Sequence, residues 1–64
     1  MKSRLNVLLA ERRMTKRQLE QALGVSKGTV YLWSTDRGIE RTTLRSLSRV
    51  ADALGCRISD LFEE

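Results

Sequence analysis

The chain has 64 residues and a mass of 7.3 kDa, with twelve Lys and Arg against eight Asp and Glu, no His, no Pro and one Cys, for a formal charge of +4 and a pI near 10.0. A lone Cys56 excludes an intramolecular disulfide. The missing His excludes Ser–His and Cys–His nucleophile chemistry and the usual zinc ligand sets, so no enzyme, cofactor or metal is expected. No apolar stretch approaches the roughly 20 residues of a membrane span and no leader pattern is present, so the expectation is one cytoplasmic domain over residues 1–64, held by helix packing and, at this size, by oligomerisation.

The charge is unevenly spread. Residues 1–30 carry Lys2, Arg4, Arg12, Arg13, Lys16, Arg17 and Lys27 against Glu11 and Glu20, whereas residues 31–64 hold five bases and six acids. A polyanion is therefore expected to dock on the first half.

From Arg4 to Arg13, Leu5, Leu8 and Leu9 recur at i, i+3 and i+4, which predicts a first amphipathic helix. Thr15 then reads as an N-cap, with Gln18 completing a capping box and Met14 against Leu19 as the staple, so a second helix runs to about Leu23 with Leu19, Ala22 and Leu23 inward. Gly24 and Gly55 each follow an Ala-Leu pair, where a left-handed helix end favours glycine. After Gly24 the same grammar repeats, with Val25 before Ser26 as N-cap and Val30 as staple partner, and a third helix extends from Lys27 to about Ser34. Two short helices joined so tightly form a helix-turn-helix. Val30 and Trp33 share one side of the third helix, which makes Trp33 core; Lys27, Gly28, Tyr31, Leu32 and Thr35 fan around the other.

Thr35 to Thr42 reads as a loop with Asp36-Arg37-Gly38 as its turn. Thr42 or Thr43 caps a fourth helix whose Leu44, Leu47, Val50, Ala51 and Leu54 lie on one side, with Arg45, Arg49 and Asp52 outward. A last short helix starts near Ser59, carries Leu61 and Phe62, and has Ile58 ahead of it. The sequence thus predicts five helices and no strand, an all-α fold.

The run Met14 to Trp33, M-T-K-R-Q-L-E-Q-A-L-G-V-S-K-G-T-V-Y-L-W, resembles the phage repressor and Cro type of helix-turn-helix, the XRE family, and the tail L-R-S-L-S-R-V-A-D-A-L-G-C-R-I-S-D-L-F looks like that family's last two helices. The resemblance spans roughly Leu5 to Phe62. It implies a compact five-helix bundle of the lambda-repressor-like kind, whose third helix enters the major groove of double-stranded DNA while the second crosses the backbone, two subunits binding half-sites about one helical turn apart. Carried over residue by residue, it places Lys27, Gly28 and Leu32 at base edges with Thr29 and Tyr31 flanking them. Lys16 falls where the family commonly has a phosphate-binding Gln, and Arg17, Thr35 and Arg37 are further phosphate candidates. The chain departs from the pattern at Gly28, which has no side chain to read with, at Leu32, which offers only apolar contact such as a thymine methyl, at Lys16 itself, and in a slightly longer loop before helix four.

Each residue also has a plainer reading. Lys27 serves equally as a solvated charge, Thr29 as support for its own helix end, and Tyr31 as a half-buried packing residue rather than a phosphate donor. Arg12 and Arg13 have a local reason in the dipole of the helix they end, and Cys56 reads as a small hydrophobe. Ile58, Leu61 and Phe62 either close the core over helix one or form a homodimer interface. The resulting functional expectation is a dimeric transcriptional regulator of repressor type on a pseudo-palindromic operator. The alternative is an antitoxin-type or other protein-interaction module, for which Asp60, Glu63 and Glu64 offer an acidic surface.

Overall fold

The computed structural model describes Met1 to Glu64. In chain order it contains β1 (Lys2–Ser3), α1 (Leu5–Glu11), α2 (Lys16–Leu23), α3 (Lys27–Trp33), α4 (Asp36–Glu40), α5 (Leu44–Leu54), a 3₁₀ turn (Ile58–Leu61) and β2 (Phe62–Glu63). The all-α expectation and the helix-turn-helix hold.

Local chemistry accounts for most helix boundaries. The Thr15 hydroxyl accepts from the Gln18 N–H at 3.0 Å while the Gln18 side chain accepts from the Thr15 N–H at 2.8 Å, the full capping box. Ser26 caps α3 through the Thr29 N–H, and Thr43 caps α5 through the Ser46 N–H. Gly24 and Gly55 end α2 and α5 in the left-handed region at φ +67° and +66°. Helix α1 ends the same way without a glycine: Arg13 sits at φ +52°, and the Arg13 and Met14 N–H groups donate back to the Ala10 and Leu9 carbonyls. This left-handed closure stops α1 at Glu11 rather than Arg13.

Four expectations are corrected. Residues 35–42 are not a loop. Thr35 caps a short helix, its hydroxyl accepting from the Gly38 N–H at 3.0 Å, and the supposed turn Asp36-Arg37-Gly38 is the first turn of α4. The chain does contain strand pairing, since Lys2 lies opposite Glu63 and Ser3 opposite Phe62 in a two-stranded antiparallel sheet that joins the termini. The last helix is a 3₁₀ turn that begins at Ile58, with the Asp60 carboxylate accepting from the Arg57 N–H, so Phe62 belongs to β2. Ala22 and Leu44 point outward, Leu44 being 72% exposed, because only one stripe of the eight-residue α2 is covered and the first turn of α5 lies beyond the core.

Twelve residues are buried, all of them apolar: Leu5, Leu8, Leu9, Leu19, Val30, Trp33, Ile39, Leu47, Val50, Ala51, Leu54 and Leu61. The core therefore has no buried polar side chain to satisfy, which suits a domain with so little interior. Every helix contributes, including α4 through Ile39. Cys56 packs against this cluster; burial pushes its thiol pKa up, the nearby Arg12 charge opposes that and Asp60 adds to it, so the group behaves as a neutral hydrophobe.

Tertiary hydrogen bonds do what no local rule required of them. Ser3 joins three elements: its N–H donates to Asp36 Oδ1 at 2.8 Å, its hydroxyl donates to the Trp33 carbonyl at 2.6 Å, and that hydroxyl oxygen accepts from the Leu5 N–H. The N-terminal strand thereby fastens the end of α3 to the start of α4. Arg12 donates from Nε to the Leu54 carbonyl at the end of α5, and Arg49 Nη2 donates to the Leu23 carbonyl at the end of α2 at 2.8 Å. Each arginine thus satisfies a terminal carbonyl of a neighbouring helix, where the helix dipole is negative. Arg49 faces outward, as its place in the pattern predicts, and reaches α2 from there.

Candidate nucleic-acid interface

Helices α2 and α3 pack together, linked by Gly24, Val25 and Ser26, with Leu19 and Val30 fully buried between them and the rest of the core. Burying Val30 and Trp33 leaves the opposite side of α3 to solvent. There Tyr31 is 60% and Leu32 56% exposed, so the half-buried packing role for Tyr31 does not hold. Their exposed apolar surface is available for contact with a partner.

A depression in the surface of this motif is lined by Lys16, Arg17, Glu20 and Lys27 and by no apolar residue. The three cations come from the first turns of α2 and α3. None is ion-paired: the close N···O contacts are Met1 to Glu40, Arg4 to Glu63 and Arg12 to Glu11. Lys16 and Arg17 at the start of α2, and Lys27 at the start of α3, also sit at positive ends of helix dipoles, where cations are disfavoured for the helices themselves. Free backbone N–H groups, aligned dipoles and unpaired ammonium and guanidinium groups together make an anion-attracting surface. Glu20 was not singled out from the sequence. It lies four residues beyond Lys16 and three beyond Arg17, a spacing that already places it on their face.

The Lys16 ammonium stands 5.8 Å from the centroid of the Tyr31 ring, so a charge on α2 and an aromatic side chain on the exposed side of α3 are in contact range. Gly28, at the second position of α3, faces open space: a methyl group there would meet nothing closer than the Ser26 hydroxyl at 4.0 Å. Packing does not demand this glycine. Thr29 is half-buried and its hydroxyl shares a 2.9 Å hydrogen bond with Ser26, as its plainer reading held.

The remaining candidates separate. Arg37 is exposed on α4. Thr35 is engaged within the fold, for its hydroxyl and its N–H both donate to the Leu32 carbonyl while its oxygen accepts from Gly38, so a phosphate contact would cost it the hydroxyl's bond to Leu32. Leu61, expected at a dimer interface, is 0% exposed, with its carbonyl accepting from the Arg4 N–H at 2.9 Å, so it belongs to the core and is removed from that role. Ile58 and Phe62 pack on the core and keep part of their surface.

The profile of the Cro/C1-type HTH DNA-binding domain matches residues 4–63. No curated protein and no solved structure matched the chain in the corresponding comparisons. The match covers both the helix-turn-helix and the elements that close over it, in agreement with the geometry of α2 and α3, and the chain belongs to the Cro/C1-type helix-turn-helix DNA-binding domain family.

Proposed function

We propose that the protein is a sequence-specific transcriptional regulator that acts as a repressor, binding a pseudo-palindromic operator as a homodimer with α3 in the major groove. The observation that carries this reading is the convergence of three unpaired cations, Lys16, Arg17 and Lys27, on the surface of the helix-turn-helix. In this reading Lys16 and Arg17 neutralise phosphates as α2 crosses the backbone, and Arg37 adds a contact from α4.

Lys27 and Leu32 read base edges from α3, Lys27 through hydrogen bonds to guanine and Leu32 through a thymine methyl. Gly28 contributes by what it lacks: with open space above it, the backbone of α3 approaches the duplex more closely than any side chain would permit. Thr29 adds a base contact only by exchanging its bond to Ser26 for one to DNA. A single head spans one half-site, and two copies related by a two-fold axis read a symmetric site. Ile58 and Phe62 supply the apolar part of that pairing in this reading. Occupation of the operator excludes polymerase, so repression needs no catalysis.

Selection of binding sites from random duplex DNA tests the whole reading. The expected result is a two-fold symmetric motif, with an affinity whose logarithm falls with the logarithm of salt at a slope of about −0.9 per phosphate contacted. An unenriched pool or a flat salt response would overturn it.

A further inference from the structure

We infer that Tyr31 is a positioning residue: its ring, on the recognition helix α3, holds the Lys16 ammonium of α2 at the phosphate-facing surface, instead of touching phosphate through its own hydroxyl. The inference rests on the DNA-binding reading above. Its structural basis is the 5.8 Å separation between Lys16 Nζ and the Tyr31 centroid, made between two helices that meet at a wide-open surface.

A lysine at the first position of an exposed helix samples many rotamers, and fixing it at a phosphate costs side-chain entropy. No carboxylate fixes it here. Glu20, the acid sharing its face, makes no ion pair with it. The negative face of the ring attracts the ammonium without supplying a hydrogen-bond acceptor that satisfies all three of its N–H donors, so a phosphate oxygen can still accept from it.

The arrangement also couples the two halves of the motif. A point charge gives less orientation to a phosphate contact than an amide does. Anchoring that charge on α3 restores a fixed offset between the backbone contact and the reading helix. Tyr31 is 60% exposed and lies outside the buried core, which separates this role from fold stability.

The test pairs Tyr31→Leu and Tyr31→Phe with Lys16→Gln. Binding of a labelled random-sequence 20-base-pair duplex is measured by anisotropy, and the Lys16 ε-methylene proton shifts are measured by NMR in the DNA-free protein. The expected results are an upfield ring-current shift of those protons that Phe preserves and Leu abolishes, and a two- to fivefold loss of affinity in Tyr31→Leu that vanishes in the Lys16→Gln background. Tyr31→Phe is expected to retain the Lys16-dependent part of the affinity.

An equal loss in both Lys16 backgrounds, an equal loss for Phe and Leu, or ordinary methylene shifts in the wild type would overturn the positioning role while the DNA-binding reading stands. If the wild type binds no duplex at any salt concentration, both fall together.

Discussion

The two ends of this small molecule use the same kind of side chain in opposite ways. Where the termini meet, Arg4 pairs with Glu63 at 3.6 Å and the N-terminal amine with Glu40 at 3.6 Å, and elsewhere Arg12 and Arg49 close the ends of α5 and α2. At the helix-turn-helix, Lys16, Arg17 and Lys27 face solvent with no partner. The difference teaches that net charge is a poor guide to an interface. What marks the surface is the convergence of three unpaired cations in one depression, with Tyr31 and Leu32 exposed on the same helix-turn-helix.

Breaking the closing region should have the largest effect. Leu61→Ala removes a fully buried side chain that joins the 3₁₀ turn to the core, and about 2–5 kcal/mol of stability should be lost. A core of this size supplies only about 3–5 kcal/mol net, so the variant should be largely unfolded by circular dichroism at 37 °C. A folded variant with impaired self-association would return Leu61 to an interface.

The two glycines flanking the reading face give the next contrast. At Gly38 a Cβ would overlap the Leu32 carbonyl oxygen and fall 2.6 Å from both the Leu32 carbonyl carbon and the Thr35 hydroxyl, because the first turn of α4 is pressed against the end of α3. Gly38→Ala should therefore lower stability by about 1–3 kcal/mol in urea denaturation. Arg49→Ala and Arg17→Ala extend the contrast to cations. The first leaves the Leu23 carbonyl without its donor and should cost about 1 kcal/mol with DNA affinity following stability. The second should leave stability within about 0.5 kcal/mol and reduce the salt slope by about one. A small stability effect of opposite sign is expected at Gly28, where Ala meets open space: Gly28→Ala should stabilise by about 0.5–1 kcal/mol while weakening operator binding. Stabilisation with unchanged binding would show that the backbone of α3 makes no close approach.

Much of this molecule was legible in the amino-acid order because its signals are local. The capping box of Thr15 and Gln18, the cap at Ser26, the glycine ends at Gly24 and Gly55 and the Val30–Trp33 face all act within a few residues. They fix α2, the turn and α3 without help from the rest of the chain. Lys16, Arg17, Lys27 and Leu32 could be placed on exposed faces for the same reason. Residues 35–42 misled because Asp36-Arg37-Gly38 carries turn chemistry; its helical outcome depends on Ile39 finding a place in the core and on the Thr35 cap.

What the sequence by itself determined is the two helices of the motif with α1 and α5 around them, most of their polar and apolar sides, and the concentration of base in the first half. Tertiary structure alone decided which bases remain free, that Tyr31 meets Lys16, that Leu61 is core, and that Ser3 ties the N-terminus to the end of α3. The division has one physical cause. Caps and periodicity are interactions over three or four residues and can be read in order, whereas the Ser3 to Trp33, Arg12 to Leu54 and Arg49 to Leu23 hydrogen bonds join residues 30, 42 and 26 positions apart, and only the packed core brings them together.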